Sequence, residues 1–135
     1  MADFRKVTDS FSVAPQIALS DLPLAAEAGF SLVINNRPDG EAPDQPSGAE
    51  VEAAARAVGL DYAYIPVRGG PTREQVEEER ALLAKAKGPV LAYCRSGNRS
   101  IVTWSLGEAL SGARSPAELI KLGADLGYNL SNVLG

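Results

Sequence analysis

The chain has 135 residues, 45% of them apolar and 22% charged, the composition of one globular domain with a core of its own. That excludes a disordered tail, a collagen-like repeat and a coiled coil. Thirteen basic against 17 acidic residues leave a net charge of −4, so no nucleic-acid partner is expected. Histidine is absent and cysteine occurs once, as Cys94. A Ser-His-Asp triad, His-ligated zinc, a Cys-His pair, an internal disulfide and a CxxC redox motif are thereby excluded. No metal and no other cofactor is expected. Met1 to Ser12 lacks the apolar stretch of a signal peptide, and no window approaches about 18 consecutive apolar residues. The expected setting is the cytoplasm, without membrane contact.

In chain order, Phe11 to Ile17 reads as a first extended segment, with Pro15 pointing to a sheet edge. Ser20 or Asp21 caps a short helix with Leu22, Leu24, Ala25 and Ala28 on one face, stopped at Gly29. Phe30 to Asn35 is the continuous apolar run of a strand buried on both faces. Arg37-Pro38-Asp39-Gly40 ends it, and a loop continues to Pro46. Ser47 with Glu50 is a capping box opening an alanine-rich helix that ends at Gly59. Tyr62 to Val67 is the next strand, interrupted by Pro66. Thr72 with Gln75 repeats the capping box for a helix to Lys87, with acids early and lysines late as the helix dipole favours. Its Glu74 to Glu79 run reads as a solvated face. Pro89 to Tyr93 is the last strand. Cys94 to Ser100 then turns into a helix over about 101–110, and Ser115-Pro116-Ala117-Glu118 opens a final one. The tail from Gly123 is expected to wrap back over the core. Strands alternating with helices predict an α/β domain: a mainly parallel sheet of four to five strands flanked by helices, with ligand beyond the carboxyl ends of the strands.

One constellation carries chemistry. The lone cysteine ends a strand and begins a loop that opens a helix, where backbone N–H groups form an anion-binding nest. Gly97 permits a backbone turn that a Cβ would resist. Ser100 is placed to cap the helix or donate to the sulfur. Arg95 and Arg99 supply fixed positive charge, and Arg99 suits a bidentate approach to an oxyanion. Each of these groups favours a thiolate over a thiol. A buried structural cysteine has no use for two arginines and a glycine within five residues. Cys94 is therefore read as a nucleophile.

The loop Cys94-Arg95-Ser96-Gly97-Asn98-Arg99-Ser100, preceded by Pro-Val-Leu-Ala-Tyr, resembles the active-site loop of rhodanese-type sulfurtransferases. The wider chain, from about Phe11 to Leu110, is similar to the phosphatase-like domain of beta-lactamase hydrolase-like proteins. The segments carrying that likeness are Ile34-Asn35-Asn36-Arg37-Pro38-Asp39-Gly40-Glu41, Tyr64-Ile65-Pro66-Val67 with Gly69-Gly70, and the cysteine loop itself. The resemblance implies a fold of the dual-specificity phosphatase type, a three-layer sandwich. It implies Cys94, Arg99 and Ser100 as catalytic, and Arg95, Ser96, Gly97 and Asn98 as the loop that holds an anion.

The two likenesses imply different chemistry. Cysteine phosphatases place the arginine six positions after the cysteine, which here is Ser100; Arg99 falls one earlier. They commonly carry histidine where this chain has Tyr93, and an aspartate general acid on the loop that here reads Pro66-Val67-Arg68-Gly69-Gly70. Asp39 or Glu41 would have to reach in from another loop. Sulfur transfer needs no acid, because the leaving sulfite or thiol is already a stable anion. The loop length and missing acid thus favour a sulfurtransferase: Cys94 takes a sulfur from thiosulfate or a persulfide and passes it to an external thiol or cyanide. A cysteine-dependent phosphatase is the alternative, and a non-catalytic thiol sensor the third reading. The resemblance also suggests a fusion or functional partner in sulfide metabolism.

Other residues carry two readings each. Asn35 and Arg37 leave a strand end facing the same crevice, so Arg37 either binds an anionic substrate or pairs with Asp39 at the surface. Arg68 either attracts anions at the mouth or is only solvated. Trp104, Tyr62, Tyr64 and Tyr93 are read as packing residues.

Overall fold

A computed structural model describes residues 2–135. Five strands form one sheet, in the order β1 (Arg5–Thr8), β2 (Phe11–Ala14), β5 (Val90–Tyr93), β3 (Leu32–Asn35) and β4 (Asp61–Tyr64). The β2, β5, β3 and β4 strands run parallel, and β1 pairs antiparallel with β2. Continuous apolar sequence produces this arrangement. Every residue of β2, β3 and β5 is buried, as a parallel sheet covered on both faces requires.

Helices fill the two outer layers. Leu22 and Ala25 of α1 (Asp21–Glu27) and Val51 and Ala55 of α2 (Gly48–Ala57) pack on one face with Val33 and Leu91. On the other face the core joins Phe11, Ile34 and Ala92 to Ile101 and Trp104 of α4 (Asn98–Ser111), Leu119 of α5 (Pro116–Asp125), and the tail residues Tyr128 and Leu130. The α3 helix (Arg73–Lys85) packs beside α4, and α6 (Ser131–Leu134) closes the chain. Trp104 stacks on Phe11 with centroids 5.1 Å apart and planes at 9°. Each such buried aromatic contributes roughly 2–3 kcal/mol of apolar transfer free energy. The tail does wrap over the core.

Two expectations about the sheet are corrected. Phe11–Ala14 is an interior strand, not an edge, and Pro15 lies just past its end. The edge on that side is β1, whose sequence Arg-Lys-Val-Thr buries only Val7 and therefore carries no apolar pattern. The fourth parallel strand stops at Tyr64, short of Val67, although Ile65 and Val67 N–H still reach the Asn35 and Asn36 carbonyls at 2.9 Å past its end. Both capping boxes form: Ser47 and Glu50, and Thr72 and Gln75, exchange their side-chain and backbone bonds. The α4 helix begins at Asn98, three residues earlier than expected, so Arg99 and Ser100 belong to its first turn. Among the described residues no helix is long and apolar enough to cross a membrane.

Candidate active site

Ala14, Asn35 and Tyr93 lie level in the register of β2, β3 and β5. The segments after them leave the sheet at one end, and Cys94 follows the central strand. Its N–H reaches the Ala14 carbonyl at 3.4 Å, Gln16 N–H reaches the Arg95 carbonyl at 3.1 Å, and Asn36 N–H reaches the Tyr93 carbonyl at 2.8 Å. These bonds fix the start of the cysteine loop to both neighbouring strands.

The loop closes on the sulfur. Gly97 N–H donates to Cys94 Sγ at 3.1 Å. Gly97 adopts φ +93°, and a Cβ there would collide with the Tyr128 hydroxyl and press on the Ala14 carbonyl. Glycine is thus required twice, for its backbone angle and for close packing. Asn98 N–H is satisfied by Ser96 Oγ at 3.2 Å, and Ile101 N–H by the Gly97 carbonyl at 3.0 Å. Among the described residues nothing accepts from the N–H groups of Arg95, Ser96, Arg99 or Ser100. Together with the positive end of the 14-residue α4 helix, they are donors left for an anion.

Arg99 is anchored on three bonds. Its guanidinium meets both oxygens of Glu41 at 2.8 and 2.9 Å and the Val67 carbonyl at 2.9 Å. The hydrogen bond to Glu41 holds Arg99 more firmly cationic, and the nearby Cys94 sulfur adds to that against partial burial. Glu41 also takes Arg37 Nε at 3.0 Å. Arg99 first, and then Arg37, lower the Glu41 carboxyl to about 2 in spite of some desolvation. Glu41 is a carboxylate at neutral pH. It positions Arg99 and has no proton to give a leaving group.

Arg37 is buried, 4% exposed, and neither pairs with Asp39 nor opens to substrate. It ties Glu41 to Gln16 Oε1 at 2.9 Å. Asn35 is likewise structural: its Oδ1 accepts from Arg37 N–H at 2.9 Å and its Nδ2 donates to the Tyr62 hydroxyl at 3.0 Å. Asp39 accepts from Gly48 N–H at 2.8 Å, at the start of α2. Ser100 is fully buried and its hydroxyl has no partner among the described residues. Gly97 stands at the N-cap without a side-chain cap bond, so capping is not the role of Ser100. Arg95, Ser96, Asn98 and Arg68 are exposed, and Arg95 and Arg68 have no carboxylate partner among the described residues.

Trp104 and Tyr93 are core residues as expected, but Tyr64 is 40% exposed and its hydroxyl accepts from Asp39 N–H at 3.0 Å. The solvated reading of Glu74 to Glu79 fails at its last residue. Glu79 is buried and receives Asn36 Nδ2 at 3.4 Å, and desolvation raises its carboxyl to about 8. The roles of Glu41, Gln16 and Tyr128 were not read from the sequence. The Arg37/Glu41 spacing of four was the one available signal.

Comparison with known proteins identifies the family. The sequence profile of the beta-lactamase hydrolase-like protein, phosphatase-like domain, matches residues 3–111. The chain belongs to this family. It is 36% identical to the beta-lactamase hydrolase-like protein of Agrobacterium fabrum over 126 residues, which cover 93% of the chain and 29% of that protein. The chain thus spans less than a third of this curated relative. A candidate phosphatase from Neisseria meningitidis superposes with a TM-score of 0.85 at 31% identity, covering 96% of this chain and 92% of that one. The PTPMT1 structure in complex with PI(5)P superposes with a TM-score of 0.72 at 15% identity, covering 90% and 81%, and shares the fold. These relatives are phosphatase-like. They lend sulfur transfer, the reading favoured by loop length, no support and back its phosphatase alternative.

Proposed function

We propose that the chain is a cysteine-dependent phosphatase whose substrates release a leaving group stable as an anion. The observation that carries this is the cysteine loop in its phosphatase-like frame: Gly97 N–H on the sulfur, four further N–H groups left as donors, and Arg99 set beside them by Glu41. The nest and Arg99 take the three non-bridging oxygens of a phosphoryl group. Cys94 thiolate attacks phosphorus, the S–P bond forms, the ester P–O bond breaks, and the leaving oxygen keeps the electron pair. Water then displaces the thiolate and releases phosphate.

The residues that surround the sulfur narrow the substrate class. Protonating a leaving alkoxide is ordinarily worth roughly 10² to 10⁴ in rate. Glu41, the carboxylate nearest Arg99, is engaged by two arginines, and the 66–70 loop contains no acid. Aryl esters, which leave as phenolates, therefore suit this site better than alkyl esters. The exposed Arg68 and Arg95 draw anionic substrates toward the loop.

The test compares p-nitrophenyl phosphate with glycerol phosphate on the wild type and on Cys94→Ser. Cys94-dependent hydrolysis of the aryl ester, with the alkyl ester at least about 10²-fold slower, supports the proposal. Equal rates would require a general acid and overturn the substrate class. A second reading, sulfur transfer to an external thiol, is favoured by one observation: the arginine follows the cysteine by five positions, a smaller cradle than a phosphatase loop. Thiosulfate also releases an anion, sulfite. A gain of one sulfur on Cys94, discharged by cyanide, without aryl phosphate hydrolysis would put that reading first.

A further inference from the structure

Tyr128 follows α5 and lies beyond the residues matched by the family profile, yet it is buried against the cysteine loop. Its hydroxyl donates to the Ser96 carbonyl at 2.8 Å and accepts from Arg5 Nη1 at 2.7 Å. The proton's direction is not in question. A guanidinium can only donate, so the single phenolic proton must go to the carbonyl. Burial, with Arg5 opposing it, raises the Tyr128 phenol above its ordinary range, so the proton stays on. The Arg5 guanidinium also lies 5.5 Å from the Tyr128 ring centroid, and Asp3 holds its other side at 2.8 and 3.1 Å.

The Ser96 carbonyl and the Gly97 N–H are the two ends of one peptide unit. In a trans peptide they point in opposite directions, and no peptide bond among the described residues is cis. When Tyr128 draws the carbonyl outward, the N–H is turned inward, where it meets Cys94 Sγ at 3.1 Å. Hydrogen bonds linked in this way polarise one another. The chain Arg5, Tyr128, Ser96–Gly97 peptide, Cys94 therefore starts on a cation and ends on the sulfur, with every donor pointing the same way.

We infer that Arg5 and Tyr128 are positioning residues for the nucleophile: they lock the Ser96–Gly97 peptide with its N–H toward Cys94 and so favour the thiolate. This rests on Cys94 being the nucleophile of the proposed reaction. It predicts that the strand at the sheet edge and the segment after α5, both outside the cysteine loop in sequence, set its reactivity. Without Tyr128, the peptide is free to turn its carbonyl toward the sulfur, where it would repel a thiolate.

The test is alkylation of Cys94 by iodoacetamide as a function of pH, read by mass, in wild type, Tyr128→Phe, Arg5→Met and Arg5→Lys. Tyr128→Phe keeps the ring and removes only the hydroxyl. We expect alkylation near pH 6.5 to slow roughly fivefold, the worth of one ordinary hydrogen bond. Arg5→Met should move it the same way by less, and Arg5→Lys should restore most of the loss. With p-nitrophenyl phosphate, Tyr128→Phe should lower kcat more than it raises KM. A profile unchanged in both Tyr128→Phe and Arg5→Met would overturn the inference. Should Tyr128→Phe lose its folded circular-dichroism spectrum, the exposed-edge Arg5 pair decides alone. Alkylation needs no substrate, so a wild type inactive on every phosphate ester would sink the proposed function while leaving the relay to be judged on this profile.

Discussion

Glu79 is 1% exposed, inside a helix that otherwise shows its acids to solvent. Among the described residues Asn36 Nδ2 supplies its one hydrogen bond, while its Oε2 and the Asn36 Oδ1 have no partner. Desolvation raises the carboxyl from 4.5 to about 8, so the folded protein keeps the proton at neutral pH. The unfolded chain releases it near pH 4.5. Above that pH the unfolded state binds fewer protons, and stability falls as pH rises until the folded carboxyl also ionises. At pH 7 the interval is about 2.5, which at about 1.36 kcal/mol per pH unit amounts to roughly 3 kcal/mol. Glu79→Gln removes the titration, keeps an acceptor for Asn36 Nδ2, and adds an amide donor for Asn36 Oδ1. Urea unfolding of both proteins from pH 4 to 8.5, at equal m-values, should show a difference near zero at pH 4. The variant's advantage should grow to roughly 3 kcal/mol by pH 7 and level off above about pH 8. A difference constant with pH, or one that favours the wild type as pH rises, would refute a neutral buried carboxyl.

Three further substitutions probe the site. Gly97→Ala places a Cβ on a φ of +93° and against the Tyr128 hydroxyl; it should cost roughly 1–3 kcal/mol in thermal or urea unfolding and sharply slow Cys94 alkylation. Glu41→Gln frees Arg99 and leaves buried Arg37 without its carboxylate, so kcat should fall on the order of 10²-fold. Because the Glu41 carboxyl is depressed to about 2, its contribution to stability is present above about pH 4.5 and is lost on acidification. The stability gap between Glu41→Gln and wild type should therefore close as pH drops toward 2. Arg68→Ala should raise KM for anionic substrates at low salt and leave kcat unchanged, and the difference should shrink in high salt.

How far the sequence could be read depended on whether its signals were local. Capping boxes at Ser47/Glu50 and Thr72/Gln75, and glycines at Gly29 and Gly59, punctuate the helices within a few residues of where they act. The apolar runs of β2, β3 and β5 mark buried parallel strands. The β1 strand escaped because one buried valine makes no pattern and its partner is supplied by a hairpin. The cysteine loop was legible because nucleophile, glycine and arginines are contiguous. The residues that orient it come from elsewhere: Glu41 is 58 positions from Arg99, and Tyr128 is 32 from Ser96. The bracing roles of Arg37 and Asn35 are hidden for the same reason, since a polar residue at a strand end looks alike whether it faces substrate or braces a neighbour. Glu79 was hidden in an acidic run whose other members are solvated.

In the proposed reaction Cys94 takes a phosphoryl group. Wild type and Cys94→Ser should each be mixed with p-nitrophenyl phosphate, quenched in acid within the first turnover, and measured by intact mass beside a parallel thiosulfate incubation. A phosphoryl adduct mapped to Cys94 is expected in the wild type, none in Cys94→Ser, and with it a matching burst of nitrophenolate. A persulfide from thiosulfate with no phosphoryl adduct and no burst would contradict it and make the protein a sulfurtransferase in a phosphatase-like frame.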